Sequence, residues 1–150
     1  MSELLFKQFA LTRQKFLQEI EGLNREQVSF QPEGFNNNIH WNTGHVLTVT
    51  EQFMMGYPEK SNHLPGSYIE LFGNGTRPSD WTGNVPSVEE LANQLKAQLE
   101  RINEVPSSML DQKLEQPIFG LETLGELANR SLFHETYHLG QIHAMKRLIK

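Results

Sequence analysis

Cysteine is missing from this chain of 150 residues. Its absence excludes disulfides and thiolate metal sites, and any thiol nucleophile would have to come from outside the polypeptide. Long apolar runs are missing as well. No stretch approaches the roughly 18 residues that a membrane span needs, and the opening Met1-Ser2-Glu3-Leu4-Leu5-Phe6-Lys7 lacks the apolar core of a signal peptide. Excess basic charge is also lacking: the formal net charge is -5, with a pI near 5.7. No basic stripe is available to release counterions from nucleic acid or to seek an anionic membrane. These absences predict a cytoplasmic protein with neither nucleic acid nor membrane as a partner. No segment alternates with period two for long enough to predict a strand. No internal repeat, low-complexity tract or composition break divides the chain, so residues 1–150 are expected to form one domain.

Apolar residues are present in sufficient number for one core, at 37%, beside 21% charged residues. They fall into four helical stripes. In the first, Leu5, Phe9, Phe16, Ile20 and Leu23 recur at helical spacing, with Ser2 and Glu3 as a start and Gly22 as a stop. The second follows Asn36-Asn37-Asn38, whose side chains suit a helix cap, and carries Trp41, His45, Thr48, Val49, Gln52 and Phe53 before stopping at Gly56-Tyr57-Pro58. The third opens on the capping box Ser87/Glu90, runs through Val88, Leu91, Leu95, Leu99, Ile102 and Val105, and ends at Pro106. The fourth runs from about Thr123 to Lys150 with a second capping box, Thr123/Glu126. Its face holds Leu124, Leu127, Ser131, His134, His138, Ile142, Met145 and Ile149, and Lys146, Arg147 and Lys150 suit its negative end. Residues 58–86, rich in proline and glycine, form a long connection with a short helical turn expected around Tyr68 to Phe72. The simplest way to bury four such stripes is an all-α four-helix bundle with a long crossover connection between its second and third helices.

The six histidines are not equivalent. His134 and His138 stand at i and i+4, about 6 Å apart along the axis and about 40° around it, so their rings point the same way. They lie on the apolar face, where unpaired imidazoles are costly and one metal could partner both at about 2.0–2.1 Å. His45, mid-helix on the face of Trp41, Val49 and Gln52, is the third candidate. Gly44 beside it removes a side chain and allows close approach of another helix. Three neutral imidazoles and water form the pattern of an open site for a divalent transition metal. His40 and His63 read as surface or loop residues, and His143, rotated about 140° from His138, points elsewhere.

His134-Glu135-Thr136-Tyr137-His138 matches H-E-x-x-H, in which Glu135 would be the general base of a metallopeptidase. Three features count against that reading. The short stretch after His138 leaves no room for the usual downstream ligand, Gly140 and Ala144 break the longer motif, and no strand signal precedes the helix. Glu135 is left as an acceptor for a ligand imidazole or as a helix-surface charge, with the surface preferred.

Asn38-Ile39-His40-Trp41-Asn42-Thr43-Gly44-His45, followed by His134-Glu135-Thr136-Tyr137-His138-Leu139-Gly140-Gln141-Ile142, resembles the DinB/YfiT-like superfamily over nearly the whole chain. The resemblance implies a bundle with an unusual connection between helices two and three. It also implies a nickel or zinc site at His45, His134 and His138, and a homodimer. Characterised members include thiol-dependent S-transferases, such as bacillithiol transferases, and mycothiol-dependent maleylpyruvate isomerases. The expected activity is therefore a metal-dependent S-transferase joining a low-molecular-weight thiol to a small-molecule electrophile. A metal-dependent hydrolase and a non-enzymatic, metal-stabilised binding or dimer module are the alternatives. A three-His metal eases loss of a proton from a bound thiol or water. The candidate catalytic residues are Glu135, Tyr137 and Gln52; Trp41, Asn42 and Gln141 are also expected near the site, with Gln141 able to orient a ligand. Trp41 either walls the pocket or packs in the core. Tyr68, Phe72 and Trp81 either cover the site or pin the crossover.

Overall fold

The computed structural model describes residues 2–56 and 60–149, and its long helices fall where the apolar stripes put them. In chain order the helices are α1 (Ser2–Ile20), α2 (Arg25–Ser29), α3 (Ile39–Met54), α4 (Ser67–Phe72), α5 (Val88–Asn103) and α6 (Leu124–Leu148). The caps follow from local chemistry. Ser87 and Glu90 close a capping box on α5, Thr123 and Glu126 close one on α6, and Asn38 accepts the Trp41 N–H at the start of α3. A third box, Asn24/Gln27, starts α2. That helix escaped the periodicity because it is little more than one turn. The Ser2 side chain, the Tyr57-Pro58 stop and the Lys150 cation lie outside the described residues. Among the described residues no helix is long and apolar enough to cross a membrane.

Cross-helix pairs give the directions. Arg13 meets Glu135 and Glu19 meets Lys146, so α1 and α6 run parallel. Asn42 meets His138 and His45 meets His134, so α3 and α6 run antiparallel. His40 bonds the Pro86 carbonyl, Gln98 bonds the Leu47 carbonyl and Arg101 bonds Glu51, so α3 and α5 run parallel. Around the bundle the order is α1, α6, α3, α5. Consecutive bundle helices that lie side by side and parallel need a return path, and the segment from Met55 to Ser87 supplies it. The aromatics of this crossover pin it to the bundle. Tyr68 and Phe72 are buried, the Tyr68 hydroxyl donates to Gln94 at 2.8 Å, and Trp81 Nε1–H donates to the Leu71 carbonyl at 2.8 Å. Gly44 permits a close contact with the crossover: a Cβ there would lie 2.3 Å from the Phe72 ring. The close approach predicted at Gly44 is thus made by the short crossover helix α4.

One correction concerns strands. Lys113–Ile118 (β1) and Leu121–Thr123 (β2) form an antiparallel hairpin where none was expected. Of the β1 side chains only Leu114 and Ile118 are even half-buried, and Pro117 interrupts the run, so no period-two signal exists. The hairpin is instead closed by the turn residues Phe119 and Gly120, both at positive φ (53° and 78°). It is anchored because β2 runs directly into Thr123, the N-cap of α6.

The core is apolar at both ends and polar between them. One cluster includes Phe16, Leu47, Phe72, Leu91, Leu95 and Ile142; the other is Phe9, Met54, Ile102, Leu110 and Ala128. In sequence Arg13 lies between Phe9 and Phe16, Gln98 between Leu95 and Ile102, and Glu51 between Leu47 and Met54. Arg13 is fully buried and donates to Glu135 through Nε (2.6 Å) and Nη2 (2.9 Å), to the Leu95 carbonyl (2.7 Å) and to Gln98 (3.1 Å). Gln98 donates in turn to Glu51 at 3.1 Å, and Arg101 completes the chain to Glu51 at 2.7 Å. All four bundle helices are joined by this network.

Candidate metal centre

The rotation of α6 that turns Glu135 inward toward α1 turns His134 and His138 toward α3, about 100° per residue around the axis. There they meet His45. The Nε2 atoms of His45 and His134 are 3.1 Å apart. The ring centroids are 4.9 Å (His45–His134), 4.7 Å (His45–His138) and 4.5 Å (His134–His138) apart. One candidate ligand nitrogen from each ring lies within 4.8 Å of the others. Tetrahedral coordination at about 2.0–2.1 Å sets ligand nitrogens about 3.3 Å apart, so little movement is needed to surround one cation.

Proton positions follow from the partners. His45 Nδ1 faces the Phe72 carbonyl at 2.6 Å, and His138 Nδ1 faces the Asn42 side-chain oxygen at 2.7 Å. Both partners accept, so both Nδ1 atoms carry the proton and both Nε2 atoms present a lone pair. His45 Nε2 therefore accepts from His134 Nε2–H, and His134 Nδ1 is buried with no partner among the described residues. Burial lowers all three pKa values. His134 falls to about 4, through burial and then the nearby His45 and Arg130. His138 falls to about 3, through burial and then His134 and His45. At neutral pH three uncharged imidazoles therefore converge, the state in which histidine ligates metals. The cluster could hold a metal ion.

Trp41 packs in the core, the second of the two roles open to it from the sequence. It stacks on the His45 ring at 4.3 Å and 14°, held by its Nε1–H to Thr76 at 2.9 Å. Tyr137 is exposed, its ring 5.4 Å from that of His138. Gln52 is exposed two turns beyond His45, and Gln141 is half-buried. His63 is exposed in the crossover, and His143, exposed, bonds Glu19 at 3.1 Å, away from the centre.

Two residues depart from expectation. Glu135 is neither a surface charge nor an acceptor for a ligand imidazole: it is fully buried and held by Arg13. The signal was Arg13 itself, a cation on the apolar stripe of α1 that needs a buried anion. His40 is neither loop nor surface. It sits half-buried in the first turn of α3, bonded to the Pro86 carbonyl at 2.7 Å with its ring 4.9 Å from that of Trp81. Asn42, expected near the site but given no role there, and the Phe72 carbonyl, which was not expected to take part, orient two of the three rings. For Phe72 no sequence signal exists, because the contact runs through its backbone.

No curated protein matches the chain significantly. A crystal structure described as the conserved protein of locus from Enterococcus faecalis shares its fold, with a TM-score of 0.68, over 99% of this chain and 96% of that one, at 13% sequence identity. The profile of the DinB superfamily matches residues 8–142, a span that contains all three converging histidines. The parallel α3–α5 crossover, the histidine cluster and this match agree: the chain belongs to the DinB superfamily.

Proposed function

We propose that His45, His134 and His138 hold one divalent transition metal, nickel or zinc, and that the protein joins a low-molecular-weight thiol to an electrophile. The observation that carries the metal reading is the convergence of three neutral imidazoles, two with Nε2 lone pairs preset by Nδ1–H bonds. The donor set fits nickel or zinc, for which imidazole is a favoured ligand. When bound, such a metal stabilises the anionic form of a small ligand at the position that three protein ligands leave open.

Around it, the chain supplies shape and exclusion. Trp41 covers one face of His45 and keeps water from it. A cavity of about 360 Å³ opens beside α3 one turn past His45, lined by Thr48, Gln52, Phe53, Tyr68 and Ile69 among others. It has room for the apolar body of an electrophile, with Gln52 in its lining as a group that could orient it. The overall reaction is RSH + R′X → RSR′ + HX. Because the chain has no cysteine, no protein thiol competes with the small one. Membership of the DinB superfamily supports this choice over metal-dependent hydrolysis.

We place this activity in the cytoplasm, in a homodimer. Phe133 and Tyr137, neighbours on α6, expose 63% and 56% of their surface, an apolar pair suited to a second copy. Elemental analysis of untagged protein tests the metal, with about one nickel or zinc per chain expected. A panel of small thiols with a chromogenic haloarene tests the reaction. Turnover without thiol would assign a hydrolase instead. A His134→Ala variant that loses only melting temperature, in a protein inert with every thiol, would assign a binding module.

A further inference from the structure

We infer that Asn42 is a positioning residue of the histidine centre: it holds the proton of His138 on Nδ1 and so turns the Nε2 lone pair toward His45 and His134. This rests on the reading of the three imidazoles as metal ligands. Asn42 lies on α3 one turn before His45 and is fully buried. Its Nδ2 donates to the Asn38 carbonyl at 2.8 Å and to Asn37 Oδ1 at 3.0 Å. The first of these partners decides the orientation of the amide. A backbone carbonyl can only accept, and a flipped Asn42 would set two oxygens against each other. Oδ1 therefore faces His138 Nδ1 at 2.7 Å. An amide oxygen only accepts too, so the proton must sit on Nδ1. In water the neutral histidine ring favours the opposite tautomer, with the proton on Nε2, which would block ligation through that atom. Asn42 reverses that preference.

The device extends back to the start of the helix. Asn38, whose carbonyl aligns Asn42, is itself fixed as the α3 N-cap by accepting the Trp41 N–H at 2.8 Å, and its Nδ2 donates to the Ser29 carbonyl at 3.3 Å. The Asn37-Asn38 pair that begins α3 thus sets the tautomer of a ring on α6. For His45 the Phe72 carbonyl does the same work, and His134 has no such partner among the described residues.

The test uses nitrogen-15 NMR of the histidine rings in metal-stripped protein, with zinc affinity measured by chelator competition. In the unaltered protein His138 should show the Nδ1–H pattern. Asn42→Leu, close in size but without the acceptor, should shift His138 toward Nε2–H and weaken zinc binding by about 10- to 100-fold. Asn42→Asp, which restores an acceptor, should return both readouts toward those of the unaltered protein. An Nε2–H pattern for His138 in the unaltered protein overturns the inference even if Asn42→Leu does not fold. So does a folded Asn42→Leu variant with undiminished zinc affinity. Failure of the unaltered protein to bind zinc or nickel would strike the metal reading itself, and it is seen separately from the tautomer.

Discussion

Arg13 and Glu135 form a two-pronged ion pair in the middle of the bundle, both fully buried, with 2.6 Å and 2.9 Å contacts. Because each charge has left water, removing one strands the other. Arg13→Met should cost about 3–5 kcal/mol in urea unfolding. Glu135→Gln should also destabilise, through the uncompensated guanidinium. The same variant separates this pair from the H-E-x-x-H reading of the sequence. A general base changed to Gln would abolish turnover at unchanged stability; here stability should fall first.

Gly44 and Phe72 make a second dependent pair. A methyl group at residue 44 would meet the Phe72 ring at 2.3 Å, and the same residue's carbonyl holds His45 at 2.6 Å. Gly44→Ala should therefore cost about 1–3 kcal/mol through overpacking. It should also weaken metal binding, although the substituted residue touches no ligand nitrogen. Thermal unfolding and chelator competition on one sample would show the two losses together. Loss of stability with full metal affinity would mean that the Phe72 carbonyl does not orient His45.

Glu19 predicts an acid limb of stability. Burial alone would raise its carboxyl pKa, but hydrogen bonds from Lys146 and His143 outweigh burial and hold it at about 2. The folded pKa lies below the unfolded one, so this contribution is complete above the unfolded value of about 4.5 and is lost as pH falls toward about 2. Between pH 6 and pH 3 the stability gap between the unaltered protein and Glu19→Gln should narrow. A gap that stays constant over that range would show that the contacts of Glu19 do not favour its charged form.

Metal removal should leave the bundle folded. Its two apolar clusters and the Arg13 network do not include the three histidines. Stripped protein should keep its helical circular dichroism and lose only the linkage term, about 2.7 kcal/mol for free metal at a hundred times Kd. Collapse of helicity on chelation would show that the cation is a structural staple.

The four long helices were legible because amphipathic stripes and capping boxes are local. Val88 to Ile102 and Leu124 to Met145 announce their faces and their starts without reference to anything distant. The i, i+4 spacing of His134 and His138 is local in the same way, and His45 could be matched to them because it shares an inward stripe. The hairpin was not legible, because a two-residue turn and its junction with a helix cap hold it with little burial. Nor was the fate of Glu135, since a helical wheel ranks faces by hydrophobicity and cannot say which charge on one helix will meet which on another.

By itself, the sequence determined the helix positions, the absence of any protein thiol and the pair of imidazoles on one face of α6. Only tertiary structure decided that α3 lies antiparallel to α6, so that His45 closes on that pair. Only tertiary structure, too, decided that Asn42 and the backbone of Phe72 set where the ring protons sit. Periodicity is a property of consecutive residues. The meeting of a lone pair with its partners is a property of helices packed at a particular rotation.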